Sequence, residues 1–252
     1  MRELYVDGLI GAKTAELALA TARDQAAGLP NNVVFYGASG RGKTWIARHL
    51  AEKWGFAYMR VPSHSNASSL LGTLVTEMGG YPHYRIQDNF DFIVNAMRQY
   101  RRGLIFDEAD RLENLLEVVR DLSDCSGQTV VFVGMAEFPR KISRLPQLWS
   151  RMAAWVELAP ADVADCRLLA AQLAEVRIAD DLVVRLHEQT NGSLREIVVG
   201  LSRVEQFAKA RGIGSVNVGQ WGTRPFTLSG VLKAAPQAGA SPAAGARLQV
   251  VA

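Results

Sequence analysis

Apolar residues follow two different spacings along the first 160 residues of the chain. Short runs rich in β-branched and aromatic residues predict buried strands, and stretches in which apolar residues recur every three or four positions predict helices. The predicted strands are NVVFY (32–36), AYMRVPS (57–63), LIFDEAD (104–110), QTVVFVG (128–134) and AWVEL (154–158). The predicted helices cover about 12–27, 44–55, 66–80, 90–102 and 110–124. Because strands and helices alternate, the sequence predicts an α/β fold with a mostly parallel five-stranded sheet and helices on both faces.

The pattern changes after Pro160, where the strand-like runs cease. Two helical stripes of apolar residues follow, from Cys166 to Val176 and from Leu194 to Val204, and they predict a separate helical unit. The predicted organisation is a helical lead-in (1–30), an α/β core (31–160), a helical unit (161–212) and a largely disordered tail rich in Ala, Pro and Gly (213–252). Trp221 and Phe226, early in this tail, are expected to pack against the chain's own core, with docking on another protein as the alternative.

A glycine-rich stretch, GASGRGKT, joins the first predicted strand to the helix that follows it. It fits the spacing Gly-x4-Gly-Lys-Thr, in which backbone N–H groups of a tight turn and a helix N-terminus bind phosphate oxygens. Lys43 is expected to reach the β- and γ-phosphates and Thr44 to offer its hydroxyl to Mg²⁺. The predicted nucleotide-binding residues of this stretch are Gly37, Ala38, Ser39, Gly40, Arg41, Gly42, Lys43 and Thr44. The alternative is an ordinary glycine-rich turn, which the strand before it and the helix after it disfavour.

An acidic pair, Asp107 and Glu108, ends the apolar run GLIFDE. Asp107 is expected to orient Mg²⁺ through the water ligands of the metal. Glu108 is the candidate general base for the water that attacks the γ-phosphate. An Asp-Glu pair alone is as often a solvated strand end, but the phosphate motif upstream favours the functional interpretation, with ATP and Mg²⁺ as cofactors. Asp110 is predicted to be the N-cap of the helix at 110–124 rather than a catalytic group.

Composition narrows the class of protein further. Hydrophobic residues make up 48% and charged residues 21% of the chain, as in ordinary globular proteins. No apolar run approaches the roughly 20 residues that span a bilayer, and the N-terminus lacks the apolar segment of a signal peptide, so we expect a cytoplasmic protein without a membrane partner. Two cysteines and four scattered histidines speak against a disulfide framework and a zinc site. The net charge of +3 permits a polyanionic partner without demonstrating one.

The phosphate motif, the acidic pair and the helical unit, in this order, resemble the AAA+ ATPases over roughly residues 29–211. The resemblance implies a P-loop NTPase core in which the VVFVG strand lies between the NVVFY and LIFDE strands, with residues 161–212 as a small C-terminal helical lid. In that family the end of the VVFVG strand carries a polar residue that contacts the γ-phosphate or the attacking water. Here the strand runs into Gly134 and Met135, so the sensing role lacks its polar group and slow hydrolysis is expected.

The same resemblance implies roles for two arginines. LPQLWSRM resembles the segment that carries the arginine finger, which would place Arg151 at the γ-phosphate of a neighbouring subunit. Arg144 is the fallback for this role, and a surface arginine paired with an acid is the alternative. NGSLREIVVGL resembles the start of the lid helix, from which Arg195 would contact bound nucleotide. Because a cation is unfavourable in the first turn of a helix, the position of Arg195 favours this functional role.

Within the AAA+ group, GLIFDEADRL, VVFVGM and RLPQLWSRM are most similar to the transposition ATPases, which include the phage Mu B protein and its relatives in transposons. This resemblance implies ATP-dependent self-assembly, as a ring or filament, on double-stranded DNA of any sequence, and recruitment or stimulation of a transposase. Those proteins carry an N-terminal helix-turn-helix extension, whereas about thirty residues precede the first strand here, so DNA contacts are expected from the ATPase core. The alternatives are a helicase-loading ATPase of the replication-initiator type, acting on single-stranded DNA, and a regulatory ATPase acting on proteins.

Two basic groups are the candidate DNA contacts. The first comprises Arg98, Tyr100, Arg101 and Arg102 at the end of one predicted helix, with Arg60, His64 and Arg85 elsewhere on the same side of the predicted sheet. The second comprises Arg140, Lys141 and Arg144. Contacts to the phosphate backbone need only positive charge and reach, so either group suits binding that is independent of sequence. The alternative is that these cations stabilise helix ends or are simply solvated.

Overall fold

A computed structural model describes residue 6, residues 8–26 and residues 28–227 of the chain. The first part of the core comprises helix α1 (Ile10–Arg23), strand β1 (Asn32–Tyr36), α2 (Lys43–Trp54), β2 (Ala57–Arg60), α3 (Ala67–Glu77), α4 (Ile86–Tyr100) and β3 (Leu104–Asp107). The second part comprises two short 3-10 turns (Ala109–Arg111 and Glu113–Leu115), α5 (Leu116–Ser126), β4 (Val130–Gly134), α6 (Phe138–Ile142), α7 (Pro146–Trp149) and β5 (Met152–Glu157). Strands and helices therefore alternate as predicted.

The five core strands form one parallel sheet in the order β2-β3-β4-β1-β5. The expectation that the VVFVG strand, β4, lies between β1 and β3 is confirmed. In this register Val34 of β1 is opposite Phe132 of β4 and Trp155 of β5. Because all five strands run in the same direction, the loops that leave β1, β3 and β4 meet at one edge of the sheet, which brings the phosphate motif and the acidic pair together.

Alternate residues of each strand enter two separate hydrophobic clusters. Val33 and Phe35 belong to the cluster that includes α1, α2 and the C-terminal helices, whereas Val34 belongs to the cluster with α3, α4 and α5. Successive side chains of a strand point to opposite faces of a sheet. The division therefore confirms helices on both faces, and it explains why the strands read as nearly continuous apolar runs.

Helix α1 is part of the core rather than a separate lead-in. Ala12, Ala15, Leu19 and Ala22 are buried in the same cluster as residues of β1 and β5. The helix begins at Ile10 and ends at Arg23, rather than covering 12–27 as predicted, and its last buried residue is Ala22. The division predicted at residue 30 therefore does not separate this helix from the sheet.

Helices α4 and α5 begin several residues away from their predicted starts. α4 begins at Ile86 rather than near residue 90, because the buried amide of Asn89 binds the backbone of His83, accepting from its N–H at 2.7 Å and donating to its carbonyl at 2.9 Å. α5 begins only at Leu116, and Asp110 lies in the first 3-10 turn. The prediction that Asp110 is an N-cap is wrong, because its carboxylate instead accepts a hydrogen bond from the backbone N–H of Met135 at 2.6 Å.

A small helical unit follows β5. It comprises α8 (Val163–Leu173), β6 (Arg177–Ile178), α9 (Asp180–Thr190), α10 (Leu194–Arg211), β7 (Ser215–Val216) and the four-residue α11 (Val218–Trp221). The prediction that strands cease after Pro160 is wrong for β6 and β7, which pair in parallel but are too short to show a period in the sequence. No helix among the described residues is both long and apolar enough to cross a bilayer.

The helical unit extends beyond the boundary predicted at residue 212. Trp221 and Phe226 are buried and their rings stack with centroids 5.2 Å apart, so both pack against the chain's own core. Residues 213–227 therefore belong to the helical unit and not to a disordered tail. The rest of the predicted tail, residues 228–252, lies outside the described residues.

Candidate nucleotide-binding site

Residues 37–44 form a tight loop, the phosphate loop, between the carboxyl end of β1 and the first turn of α2. Gly40 and Gly42 have φ values of 81° and 79°, which residues with a side chain rarely adopt. A Cβ on Gly40 would lie 2.7 Å from Ser193 Oγ, and a Cβ on Gly42 would lie 2.8 Å from Leu194 Cδ1. Both positions therefore require glycine, because of the backbone conformation and because the turn before α10 lies directly against the loop.

Lys43, the first residue of α2, places its ammonium group inside the phosphate loop. Nζ donates hydrogen bonds to the carbonyl oxygens of Gly37 at 2.7 Å and Ala38 at 2.8 Å. Partial burial lowers the pKa of Lys43, and the negative charges of Asp107 and Asp110 oppose this change. The loop thus holds a cation where the β- and γ-phosphates of a nucleotide are expected.

Asp107, the last residue of β3, is 2% exposed, and both of its carboxylate oxygens accept hydrogen bonds. Oδ1 accepts from the backbone N–H of Glu108 at 2.9 Å, and Oδ2 accepts from the hydroxyl of Tyr58 at 2.9 Å. Asp107 and Thr44 line the same cavity. Mg²⁺ is usually bound by one or two protein oxygens together with water and substrate phosphates, so a threonine hydroxyl and a carboxylate on one cavity fit this cation. No cluster of three or more His, Cys, Asp or Glu side chains suited to a metal ion occurs among the described residues.

Glu108 has a strained backbone, with φ 55° and ψ 40°. Such left-handed conformations in residues other than glycine cost of the order of 1–3 kcal/mol and concentrate at functional sites. Arg60 Nε donates to the Glu108 carboxylate at 2.7 Å, and Arg111 pairs with its second oxygen. Arg111 is itself held by a hydrogen bond to the carbonyl of Val61 at 3.1 Å. The candidate general base therefore reaches the cavity with both oxygens engaged by arginines, and these contacts compete with a water molecule for its lone pairs.

The carboxyl end of β4 presents Met135 where the AAA+ resemblance implies a polar sensing residue. The Sδ atom of Met135 lies 3.7 Å from Lys43 Nζ. Its backbone N–H is the group that Asp110 binds, and both residues line the cavity. The polar group at this strand end is therefore a carboxylate supplied by the segment after β3.

The phosphate loop from Ser39 to Thr44, the acidic residues Asp107, Glu108 and Asp110, and Met135 border one cavity of about 1060 Å³ at the carboxyl edge of the sheet. One end is formed by the phosphate loop and the acidic residues, and the other is apolar. The apolar lining includes Val6, Leu9, Leu169, Leu173 and Val198. A hydrogen bond of 3.1 Å from the backbone N–H of Ile10 to Asp165 Oδ1 ties α1 to α8 beside this end. A cavity with one apolar end and one cationic, glycine-rich end fits a nucleoside triphosphate.

The start of α10 and the turn before it contact the phosphate loop directly. The backbone N–H of Arg195 donates to the carbonyl of Gly40 at 3.3 Å, and its guanidinium donates to Ser39 Oγ at 3.4 Å. Arg41 reaches in the other direction and donates to the carbonyl of Gly192 at 3.0 Å. The structure thus brings Arg195 to the phosphate loop, and it links the helical unit to the part of the core that would bind phosphate.

Arg151 lies away from this cavity. It immediately precedes β5, at the amino end of the sheet, whereas the phosphate loop is at the carboxyl end. Its guanidinium pairs with Asp124, with Nε 2.6 Å from Oδ1, and its carbonyl accepts from the backbone N–H of Asn32 at 3.0 Å. An arginine in this place can contact a nucleotide only in another copy of the chain.

The two basic groups lie at opposite ends of the sheet. Arg98, Arg101 and Arg102 come just before the amino end of β3, whereas Arg140 and Lys141 come after the carboxyl end of β4. Three of these side chains have partners inside the chain: Arg98 donates to the carbonyl of Cys125, Lys141 donates to that of Asp110, and Arg140 pairs with Glu137 at 3.6 Å. Arg140 is far more open, with a side chain that is 82% exposed.

Sequence reasoning missed three sets of residues in this site. The sequence motifs do not single out Arg60 or Arg111; Arg60 reaches the site because β2 pairs with β3, with Arg60 opposite Asp107. Asp110 was assigned to a helix cap. The apolar end of the cavity was missed because its residues come from three distant segments, and their spacing shows only that each segment has a buried face.

A parallel sheet with a phosphate loop after its first strand, a buried aspartate after its third and a cavity of nucleotide size between them defines a P-loop nucleotide-binding domain. A family model described as an AAA domain matches residues 28–142. The chain therefore contains an AAA-type P-loop ATPase domain, whose cofactors are ATP and Mg²⁺. None of the curated proteins matches the sequence.

Solved structures support the same fold. Cdc6p from Pyrobaculum aerophilum is similar with a TM-score of 0.67 at 17% identity, over 85% of this chain and 66% of that chain. The Aeropyrum pernix ORC1 protein in complex with DNA has a TM-score of 0.62 at 15% identity, over 92% of this chain and 66% of that chain. The Thermotoga maritima RuvB Holliday junction branch migration motor has a TM-score of 0.56 at 20% identity, over 83% of this chain and 65% of that chain. The chain thus spans about two thirds of the length of these proteins, and at such identities the likeness shows the fold alone.

Proposed function

We propose that the chain is an ATPase that, when ATP is bound, binds duplex DNA without sequence preference and assembles on it. In this proposal the assembly serves DNA transposition by marking a target and activating a transposase. The observation that carries the proposal is the separation of Arg151 from the cavity of its own chain. A head-to-tail contact would place Arg151 of one copy at the nucleotide of the next, and repetition of such a contact generates a ring or a filament. A cytoplasmic location, where ATP is present, is part of the proposal.

The DNA-binding part of the proposal is supported by exposed cationic groups on the core. Arg101 caps α4 in a left-handed conformation and is exposed, next to Tyr100, which is 69% exposed. Arg140 lies at the other end of the sheet. Two of the similar folds belong to proteins described with DNA, one as a complex with DNA and one as a Holliday junction motor. The transposition role itself is supported by the resemblance of GLIFDEADRL and RLPQLWSRM to the transposition ATPases.

Binding to duplex DNA is expected to be cooperative, stimulated by an ATP analogue and steeply dependent on salt, because phosphate contacts release counterions. The measurement is fluorescence anisotropy of two unrelated duplexes over a salt series, combined with electron microscopy. Arg101→Ala and Arg140→Ala should each weaken binding equally for both duplexes and lower the salt slope by about 1. Arg167→Ala is the control, because Arg167 lies on the helical unit and its side chain pairs with Asp180 there. If the ATP analogue changes neither DNA affinity nor particle size, the proposal is wrong.

Arg151→Ala is expected to lower ATP turnover in assemblies by roughly 10³-fold or more, because an arginine finger neutralises charge that develops in the transition state. Nucleotide affinity should stay unchanged, since Arg151 does not line the cavity of its own chain. The lost pair with Asp124 is exposed and contributes little to stability.

Mixing inactive variants tests whether Arg151 acts between copies. A mixture of Arg151→Ala and Glu108→Gln proteins should recover turnover that neither has alone, because one junction joins an intact Glu108 to an intact Arg151. The mixture of Arg144→Ala with Glu108→Gln is the comparison. If turnover recovers only in the Arg144→Ala mixture, Arg144 is the arginine finger. If Arg151→Ala alone has full turnover, Arg151 is not the arginine finger.

A replication-type ATPase that acts on single-stranded DNA is the second candidate, and one observation favours it. Tyr81 and Tyr84, between α3 and α4, are 90% and 102% exposed, and exposed aromatic rings can stack on unpaired bases. Arg85 follows them and could contact phosphate. Preference for single strands over duplexes, lost in a Tyr81→Ala/Tyr84→Ala protein, would favour this candidate over the duplex-binding proposal.

A further inference from the structure

Tyr58 lies between the nucleotide cavity and a second, smaller groove. It belongs to β2, and the guanidinium carbon of Arg48 in α2 lies 5.4 Å from the centroid of its ring. Arg48 borders both the cavity and the groove of about 510 Å³, whereas Tyr58 borders the groove. Arg48 lies four residues after Thr44, so the two share one face of α2. The phenol ring is thus held between the helix that begins in the phosphate loop and the strand beside β3.

The hydroxyl of Tyr58 is directed at the buried carboxylate of the site. It donates to Asp107 Oδ2 at 2.9 Å, while Oδ1 accepts from the backbone N–H of Glu108. An ionised carboxylate only accepts hydrogen bonds, so the phenol hydroxyl is the donor in this contact.

This arrangement fixes the orientation of Asp107. An ionised carboxylate has about four lone-pair positions, and two of them are occupied here, one on each oxygen. Because Asp107 is almost completely buried, water cannot readily replace a lost donor. Donors that orient a ligating side chain typically change metal affinity by 10- to 100-fold when removed.

We propose that Tyr58 is a positioning residue for Mg²⁺, which acts by holding Asp107 in the orientation that binds the cation or its water ligands. The proposal rests on the expected role of Asp107 at Mg²⁺ and is independent of the DNA-binding function. Tyr58 is not itself a catalytic residue, because its hydroxyl contacts Asp107 and the residue does not line the nucleotide cavity. We therefore expect Tyr58 to contribute to binding of the metal-nucleotide complex and not to binding of the nucleotide alone.

Tyr58→Phe tests this prediction, because it removes the hydroxyl and leaves the ring under Arg48. A fluorescent ATP analogue is titrated into the full chain in EDTA and then over a series of Mg²⁺ concentrations. We expect an unchanged affinity in EDTA and a Mg²⁺ concentration for half-maximal stimulation that is roughly 10-fold higher than in the parent protein. Tyr84→Phe removes a hydroxyl from a fully exposed ring and should change neither value. A merely structural role of Tyr58 would alter both affinities together or neither.

The Asp107→Asn variant distinguishes two hypotheses: that Asp107 binds Mg²⁺, and that Tyr58 positions Asp107 for this binding. In that background the carboxylate is absent, so adding Tyr58→Phe should change the Mg²⁺ dependence no further. If Asp107→Asn raises the Mg²⁺ requirement and Tyr58→Phe does not, the role of Tyr58 is wrong. If neither variant raises it, Asp107 does not hold the cation and the proposal for Tyr58 falls with it.

Discussion

Lys43→Ala is expected to weaken ATP binding by roughly 10²- to 10⁴-fold. A hydrogen bond between charged groups contributes about 1.5–3 kcal/mol, so the loss of two contacts to the β- and γ-phosphates predicts about 3–6 kcal/mol. The structure places the ammonium where these contacts would form, inside the loop and bonded to two of its carbonyls. Alanine is a good helix former, and α2 stays anchored by the buried Ile46 and Leu50, so the fold should be retained.

Calorimetric titration of Mg-ATP measures this loss, with the thermal shift caused by ATP as a second measurement. Lys53→Ala is the matched control, because Lys53 lies on the same helix and its ammonium pairs with Glu16 at 2.6 Å, outside the cavity. It should bind ATP like the parent protein. A folded Lys43→Ala protein with the parent's affinity would mean that the cavity does not bind triphosphate through this loop.

The phosphate loop and the acidic pair could be predicted from the sequence because their geometry depends on local spacing. The φ values at Gly40 and Gly42 allow almost no residue but glycine, and a tight loop around phosphate fixes the number of residues between them and Lys43. The sheet was predictable because parallel strands buried on both faces leave long apolar runs. Both are constraints that act within a few residues of the chain.

Other features depend on contacts between distant segments and leave no local pattern. Asp110 looks like a helix cap until β4 places the N–H of Met135 beside it. Asn89 looks like a turn residue, yet it is buried against the backbone of His83. The end of the helical unit was missed because β6, β7 and α11 are two to four residues long, and Trp221 and Phe226 are isolated in a polar stretch.

The arginines around Glu108 add a constraint that the motif alone does not show. The sequence assigns Glu108 as the general base without indicating any partner, whereas the structure shows that Arg60 and Arg111 bind its carboxylate from two sides. The side chain of Arg60 is 58% exposed, so it can exchange Glu108 for solvent without disrupting the core. We therefore expect slow basal hydrolysis, in which release of Glu108 precedes attack by water.

Glu108→Gln is expected to lower ATP turnover by roughly 10²- to 10⁴-fold, the usual contribution of a general base. Glutamine keeps the shape and hydrogen-bonding capacity of the side chain but cannot take a proton from water. Nucleotide binding should persist, because the phosphate loop, Lys43 and Asp107 are unchanged. The lost pairs with Arg60 and Arg111 are partly exposed and contribute little to stability. Single-turnover rates and the affinity for a fluorescent ATP analogue, measured on the same preparation, separate the two effects.

Two variants make this prediction specific to Glu108. Glu137→Gln removes a glutamate whose side chain is 75% exposed and pairs only loosely with Arg140, so its turnover should match that of the parent protein. Asp110→Asn changes the other carboxylate that lines the cavity near Met135, and we expect a smaller loss, because Oδ2 of Asp110 is already committed to the backbone N–H of Met135. Full turnover by Glu108→Gln together with a large loss in Asp110→Asn would reverse the two assignments. The base would then be the carboxylate bound to a main-chain amide, and the arginine-paired Glu108 would have only a structural role.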